Sequence, residues 1–187
     1  MSKVNLENIL KYGVYLAAFI PLVIFSEFMS PFHFGKVFIF RSLVEILAVF
    51  YVVLLVRRGK AWLPARTPLF WAVTLFTLAF GLSTITSINV YQSFFGTLER
   101  MGGWFSFFHF WIFFVIASTV LREKEEWVAF INLSLAVSML SAFYGFLQKT
   151  DLAWVIGSGG RSKIFGTLGN PALFAGYMVV NAFLALM

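Results

Sequence analysis

The chain has 187 residues, of which 60% are hydrophobic, 20% aromatic and only 12% charged, with a formal net charge of +6. A soluble domain carries roughly a quarter charged residues, so this composition excludes an ordinary soluble fold and indicates an integral membrane protein. The apolar runs are long and unbroken rather than about ten residues of alternation, which selects an all-α helical bundle over a β-barrel.

Six apolar spans are expected in chain order. Lys3 and Lys11 precede the first, at about residues 12–28. The run is long and no A-x-A-like site follows it, so a retained helix is read rather than a signal peptide. Pro21 is expected to kink it. No lipidation motif is visible. The second span covers about 37–56 and carries Arg41 and Glu45, one helical turn apart. Each would cost a few kcal/mol facing lipid. The spacing suits mutual pairing, and intramembrane ionisable residues are equally candidates for function.

The third span covers about 69–86. After it, the segment YQSFFGTLERMGG, residues 91–103, places Phe94, Phe95, Leu98 and Met101 on one helical side, with Gln92, Glu99 and Arg100 elsewhere. Such a segment can lie flat in the interface as a connector, or it can present Glu99 and Arg100 as part of an outward-facing site. The fourth span, about 103–121, sets His109 among Phe107, Phe108, Phe110 and Trp111. A histidine bonded to a neighbouring helix fits that setting better than a catalytic one. The fifth, about 127–147, repeats Ser134, Ser138, Ser141 and Gly145 at helical spacing, and the sixth, about 171–187, has Ala172 and Gly176. Small residues so spaced let helices approach closely. The sixth span lacks a terminating charge or aromatic anchor, so the chain is expected to be the N-terminal part of a larger bundle. No internal repeat stands out.

The positive charge is local. Arg57, Arg58, Lys60 and Arg66 crowd one short loop that contains no acid. That is the positive-inside signature of a cytoplasmic loop rather than a nucleic-acid surface. By alternation the N-terminus and residues 122–126 are then cytoplasmic, and residues 29–36, 87–102 and 149–170 face outward. Trp62, Trp71, Trp104, Trp127 and Trp154 fall near the expected interfaces. Without cysteine there is neither a disulfide framework nor a thiolate metal site. His33 and His109 are too far apart to suggest a metal centre. Neither metal nor other cofactor is expected.

The most informative stretch is GSGGRSKIFGTLGNPALFAGY, residues 157–177. Asn170 is a good N-cap and Pro171 suits the first helical position. Free N–H groups at a helix start attract anions. Arg161 and Lys163 lie just upstream, and Gly166 and Gly169 let a backbone approach a ligand closely. Outward-facing cations suit a phosphate-bearing headgroup; a plain membrane turn is the simpler alternative.

Two of these segments together carry a resemblance. QSFFGTLERMGG and FGTLGNPALFAGY, each leading into a span, are similar in pattern, order and separation to segments of bacterial O-antigen ligase and O-antigen polymerase-like membrane proteins. Ser93, Gly96, Glu99, Arg100 and Gly103 stand at pattern positions of the first. Gly166, Thr167, Gly169, Asn170, Pro171, Ala175 and Tyr177 do so in the second. Ala172 departs from a commonly found second asparagine. The resemblance implies a multispanning GT-C type glycosyltransferase in the bacterial cytoplasmic (inner) membrane. It would transfer or polymerise a glycan from an undecaprenyl-diphosphate carrier at the outer face, onto a lipid or protein acceptor. An acceptor hydroxyl would attack the anomeric carbon and the lipid diphosphate would leave. The family's catalytic arginines and histidine lie in later spans, so no catalytic residue is assigned here. Substrate-binding candidates are Arg100, Arg161 and Lys163 for the diphosphate, Glu99 to orient Arg100, and Gly169 and Asn170 at the helix start. The rival readings are a transporter or flippase-type bundle using Arg41 and Glu45, and a non-catalytic scaffold.

Overall fold

The computed structural model describes residues 5–28, 30–97, 100–150, 152–157 and 163–186. Among these residues the chain is all-helical, with seven α-helices and no strand. Helix α1 spans Leu6–Ala17, opened by Asn5, whose side chain accepts from the Glu7 N–H. It stops well short of the helix expected over 12–28. Pro21 has no N–H, and its ring would strike the carbonyl four residues back, that of Ala17. A short 3-10 turn, Ile20–Leu22, follows with Pro21 inside it, and the backbone is extended at Val23. The chain therefore breaks at the proline instead of bending through it.

Helix α2, Phe34–Arg58, ends at Gly59, whose φ of 69° closes the helix, and Arg57 and Arg58 occupy the last turn, where the dipole favours cations. Helix α3, Pro68–Ile85, starts on a Thr67 cap with proline at its first position. The short α4, Val90–Phe95, is capped by Asn89. Only this first part of the 91–103 segment described by the structure is helical. Helix α5 spans Trp104–Val120 and α6 spans Lys124–Leu147. A reciprocal capping box between Glu123 and Glu126 starts α6. Helix α7, Pro171–Ala185, has Asn170 as N-cap and Pro171 at its first position, as the residue order indicates.

Three helical stretches, Phe34–Trp62, Pro68–Ile85 and Lys124–Leu147, are long and apolar enough to cross a membrane; Trp104–Val120 and Pro171–Ala185 are shorter apolar helices. Where α1, α2 and α5 meet, Leu10, Val14, Leu47, Leu54, Ile116 and Val120 form the centre of the core. Helix α3 joins through Trp104, which donates to the Thr77 carbonyl at 2.9 Å, and Trp111, which donates to Thr74 Oγ1 at 3.0 Å. Helices α6 and α7 pair along the small-residue face. Ser138, Ser141 and Gly145 are buried there, and Ser134 donates to Asn181 at 3.0 Å. Gly176 has open space where a Cβ would sit, so it is not part of that close approach.

One end of the bundle collects the N-terminal helix, the loop after α2 and the start of α6. Arg58 pairs with Glu7 at 2.6 Å, and Lys11 pairs with Glu126. Hydrogen bonding to that carboxylate raises the Lys11 pKa above its ordinary value. Arg122 stacks over Trp62 at 3.8 Å and donates to the Ala61 carbonyl at 2.8 Å. Trp62 is thereby buried and serves as a packing residue, whereas Trp71 and Trp154 remain exposed. Arg57, Lys60 and Arg66 stay exposed on this end.

Candidate functional site

The segments that carry the resemblance each touch the first half of α2, one through Arg41 and the other through Lys36. The turn at residues 164–170 is the denser. Gln148, only 1% exposed at the end of α6, spends its whole amide on it. Its Oε1 accepts from the N–H groups of Phe165 and Gly166 at 3.1 and 3.0 Å. Its Nε2 donates to the carbonyls of Ile156 and Gly166 at 3.0 and 3.1 Å. Thr167 exchanges a hydrogen bond with Ser141 at 2.7 Å. From α2, the Lys36 ammonium donates to the carbonyls of Val23, Phe32 and Thr167 at 2.6, 2.9 and 2.6 Å. All three of its donors are directed at protein carbonyls, so this half-buried cation ties α2, the chain after the 3-10 turn and the 164–170 turn together.

The glycines of this turn serve the protein's own packing. Gly166, at φ 53°, would bring a Cβ within 2.3 Å of the Phe174 ring, and Gly169, at φ 73°, within 2.4 Å of Phe32. Aromatic side chains therefore fill the space that sequence reasoning reserves for a ligand. The helix start is likewise committed. Pro171 has no N–H, and Asn170 Oδ1 accepts from Ala172 and Leu173 at 2.8 and 3.3 Å. The next N–H, of Phe174, bonds to the Asn170 carbonyl at 2.9 Å. The Asn170 Nδ2 group is the part of that side chain left to meet a ligand. Lys163 is exposed beside the turn. Arg161 lies outside the described residues.

The second turn, 96–103, folds back on its own backbone. A Cβ on Gly96, at φ 81°, would meet Gly102 N at 2.4 Å, and one on Gly103 would meet Phe94 O at 2.3 Å. That self-contact explains the paired glycines at the two ends of FGTLERMGG. Arg41 of α2 holds this turn: its Nη2 donates to the Met101 carbonyl at 3.0 Å and to Ser106 Oγ at 2.6 Å. The guanidinium also lies over the Phe105 ring at 4.8 Å. Its Nε is buried with no hydrogen-bond partner. Arg100 is exposed, its backbone N–H bonded to Thr97; Glu99 lies outside the described residues.

The expected pairing of Arg41 with Glu45 is replaced by two separate engagements. While Arg41 turns to Met101, Glu45 Oε1 sits 3.1 Å from His109 Nε2 on α5. The Met101 carbonyl and the Ser106 hydroxyl of α5 give Arg41 two oxygens in place of the Glu45 carboxylate. His109 does bond to a neighbouring helix, as its aromatic setting suggests.

Sequence reasoning missed Lys36 and Gln148. Each sits near the end of an apolar helix, and its partners are backbone groups, one of them 131 residues away from Lys36. A family-model scan, a search of curated proteins and a search of solved structures each return no match for this chain.

Proposed function

We propose that this chain is an integral membrane protein of the O-antigen ligase and polymerase-like kind, with its six apolar segments crossing the bacterial inner membrane and its N-terminus in the cytoplasm. On this reading it belongs to a GT-C type bundle that handles an undecaprenyl-diphosphate-linked glycan at the outer face and passes it to a lipid or protein acceptor. The observation that supports the reading is the convergence of the two motif-bearing turns on the same half of α2. There Lys36 reaches Thr167 and Arg41 reaches Met101. Separated in sequence by some sixty residues, both glycine-built turns are neighbours of one helix.

In this proposal Arg100, Arg161 and Lys163 supply positive charge to the diphosphate, because guanidinium and ammonium groups donate charge-assisted hydrogen bonds to phosphate oxygens; of the three, Arg100 and Lys163 are exposed among the described residues. Glu99 orients Arg100. Gly169 and Asn170 set the position of the turn, with the Asn170 amide nitrogen free to donate.

The test is binding of undecaprenyl diphosphate to the purified protein in lipid nanodiscs, compared with the Arg100→Ala and Arg161→Ala variants. Each substitution is expected to weaken binding about tenfold, the scale of one charge-assisted hydrogen bond. Undiminished binding in both variants, with unchanged glycan transfer in cells, would remove the assignment. A transporter reading draws on the Glu45–His109 pair within α2 and α5. Substrate flux in proteoliposomes without glycan transfer would favour it instead.

A further inference from the structure

We propose that Glu45 of α2 and His109 of α5 form a proton-binding site, the two side chains together holding one proton between Glu45 Oε1 and His109 Nε2.

The argument is a count of donors. His109 Nδ1 lies 2.7 Å from the Phe105 carbonyl. A carbonyl oxygen only accepts, so Nδ1 carries a hydrogen. In a neutral imidazole the other nitrogen then presents a lone pair. Yet Nε2 faces a carboxylate oxygen at 3.1 Å, and an ionised carboxylate also only accepts. Two lone pairs at that distance repel. The contact is attractive when one more proton is present, either on the ring as imidazolium facing carboxylate, or on Glu45 as a carboxylic acid donating to Nε2. One proton thus serves both side chains.

The His109 side chain is 4% exposed and that of Glu45 is 61% exposed. The carboxylate lies on the outer face of α2 beside exposed Ile46 and Val49, and the histidine is enclosed behind it. The charged neighbour is Arg41, one turn earlier on α2, and it is engaged with Met101 and Ser106. Lys36 of α2 is held by three carbonyls, Tyr51 of α2 bonds to Trp62, and Lys11 of α1 pairs with Glu126. Helix α3 carries no ionisable side chain, and α5 has none besides His109. Tyr91 of α4 is exposed. No other described acid competes with Glu45 for His109. The site thus gives the bundle one acid–base equivalent, available to whatever molecule or helix lies against that face of α2. It does not depend on the glycan-transfer reading.

The chain contains only two histidines, so nitrogen NMR of histidine-labelled protein in nanodiscs can resolve them, with His33→Gln identifying the second. At neutral pH the proposal expects one of two results. Either both His109 nitrogens are protonated, or the ring is neutral with hydrogen on Nδ1 and the infrared spectrum shows a protonated carboxyl band that is absent in Glu45→Gln. In Glu45→Gln the amide can donate to Nε2, so His109 is expected to become the neutral Nδ1–H tautomer. A ring protonated on Nε2 alone overturns the proposal, as does a neutral ring with no carboxyl band. The wild-type spectra decide the matter if the variant fails to fold.

Discussion

The two turns seated on α2 use the same materials, glycines and one cation from the helix, yet they are finished differently. At 164–170 the anchoring side chains are fully engaged. Gln148 makes four hydrogen bonds, Lys36 three, and aromatic rings occupy the space beside the glycines. At 96–103 one guanidinium does the holding, and its Nε is left buried without a partner. The lesson is that a glycine-rich, cation-bearing motif can be mostly architecture. The first turn is built to be fixed, with Lys163 exposed at its edge. The second is held by fewer hydrogen bonds.

The comparison breaks most decisively at Gln148. Gln148→Leu keeps the apolar volume but strands two buried N–H groups and two carbonyls, each costing roughly 1–3 kcal/mol before relaxation. A loss of about 4 kcal/mol is expected in thermal or denaturant unfolding of detergent-solubilised protein. A loss below about 1 kcal/mol would mean that the 164–170 turn is not anchored as described.

Gly103→Ala probes the second turn, where the obstacle is backbone rather than a movable side chain. About 3 kcal/mol of destabilisation is expected. Gly102→Ala is the internal control, since a Cβ there meets nothing within 4 Å; it should change stability by no more than about 0.5 kcal/mol. Equal effects at the two glycines would contradict the self-contact.

The two cations sharpen the contrast further. Lys36→Met retains the stem and removes three charge-assisted bonds, an expected loss of about 2 kcal/mol. Arg41→Met removes two bonds but also an unpaired buried donor, so about 1 kcal/mol is expected. Hydrogen exchange should quicken around Thr167 and Leu168 in the first variant and around Met101 in the second. If both variants loosen both turns, the turns form one unit rather than two.

What was legible in the chain follows from the range of the interactions. Five of the six expected apolar segments coincide closely with helices, because Thr67–Pro68, Asn170–Pro171 and Gly59 are local signals that act within one turn. The capping box at Glu123 and Glu126 is equally local. The first segment misleads because hydropathy does not register the collision between Pro21 and the Ala17 carbonyl. The site is harder to read. Nothing near Lys36 announces a carbonyl 131 residues later. Arg41 and Glu45 look like partners by spacing and are separated by Met101 and His109, which only the fold brings near.

Asn170 offers the smallest effect and the cleanest separation of structure from binding. As N-cap it satisfies Ala172 and Leu173, so Asn170→Ala should cost about 1 kcal/mol. Asn170→Asp keeps an accepting oxygen and adds negative charge at the positive end of α7, so stability should hold within about 0.5 kcal/mol. The same aspartate removes the Nδ2 donor and repels an anion. If the edge of this turn receives a lipid diphosphate, binding of undecaprenyl diphosphate should fall in Asn170→Asp while the unfolding midpoint stays put. A variant with both stability and binding intact would leave Asn170 purely a cap, and would shift the proposed anion contacts onto the exposed cations alone.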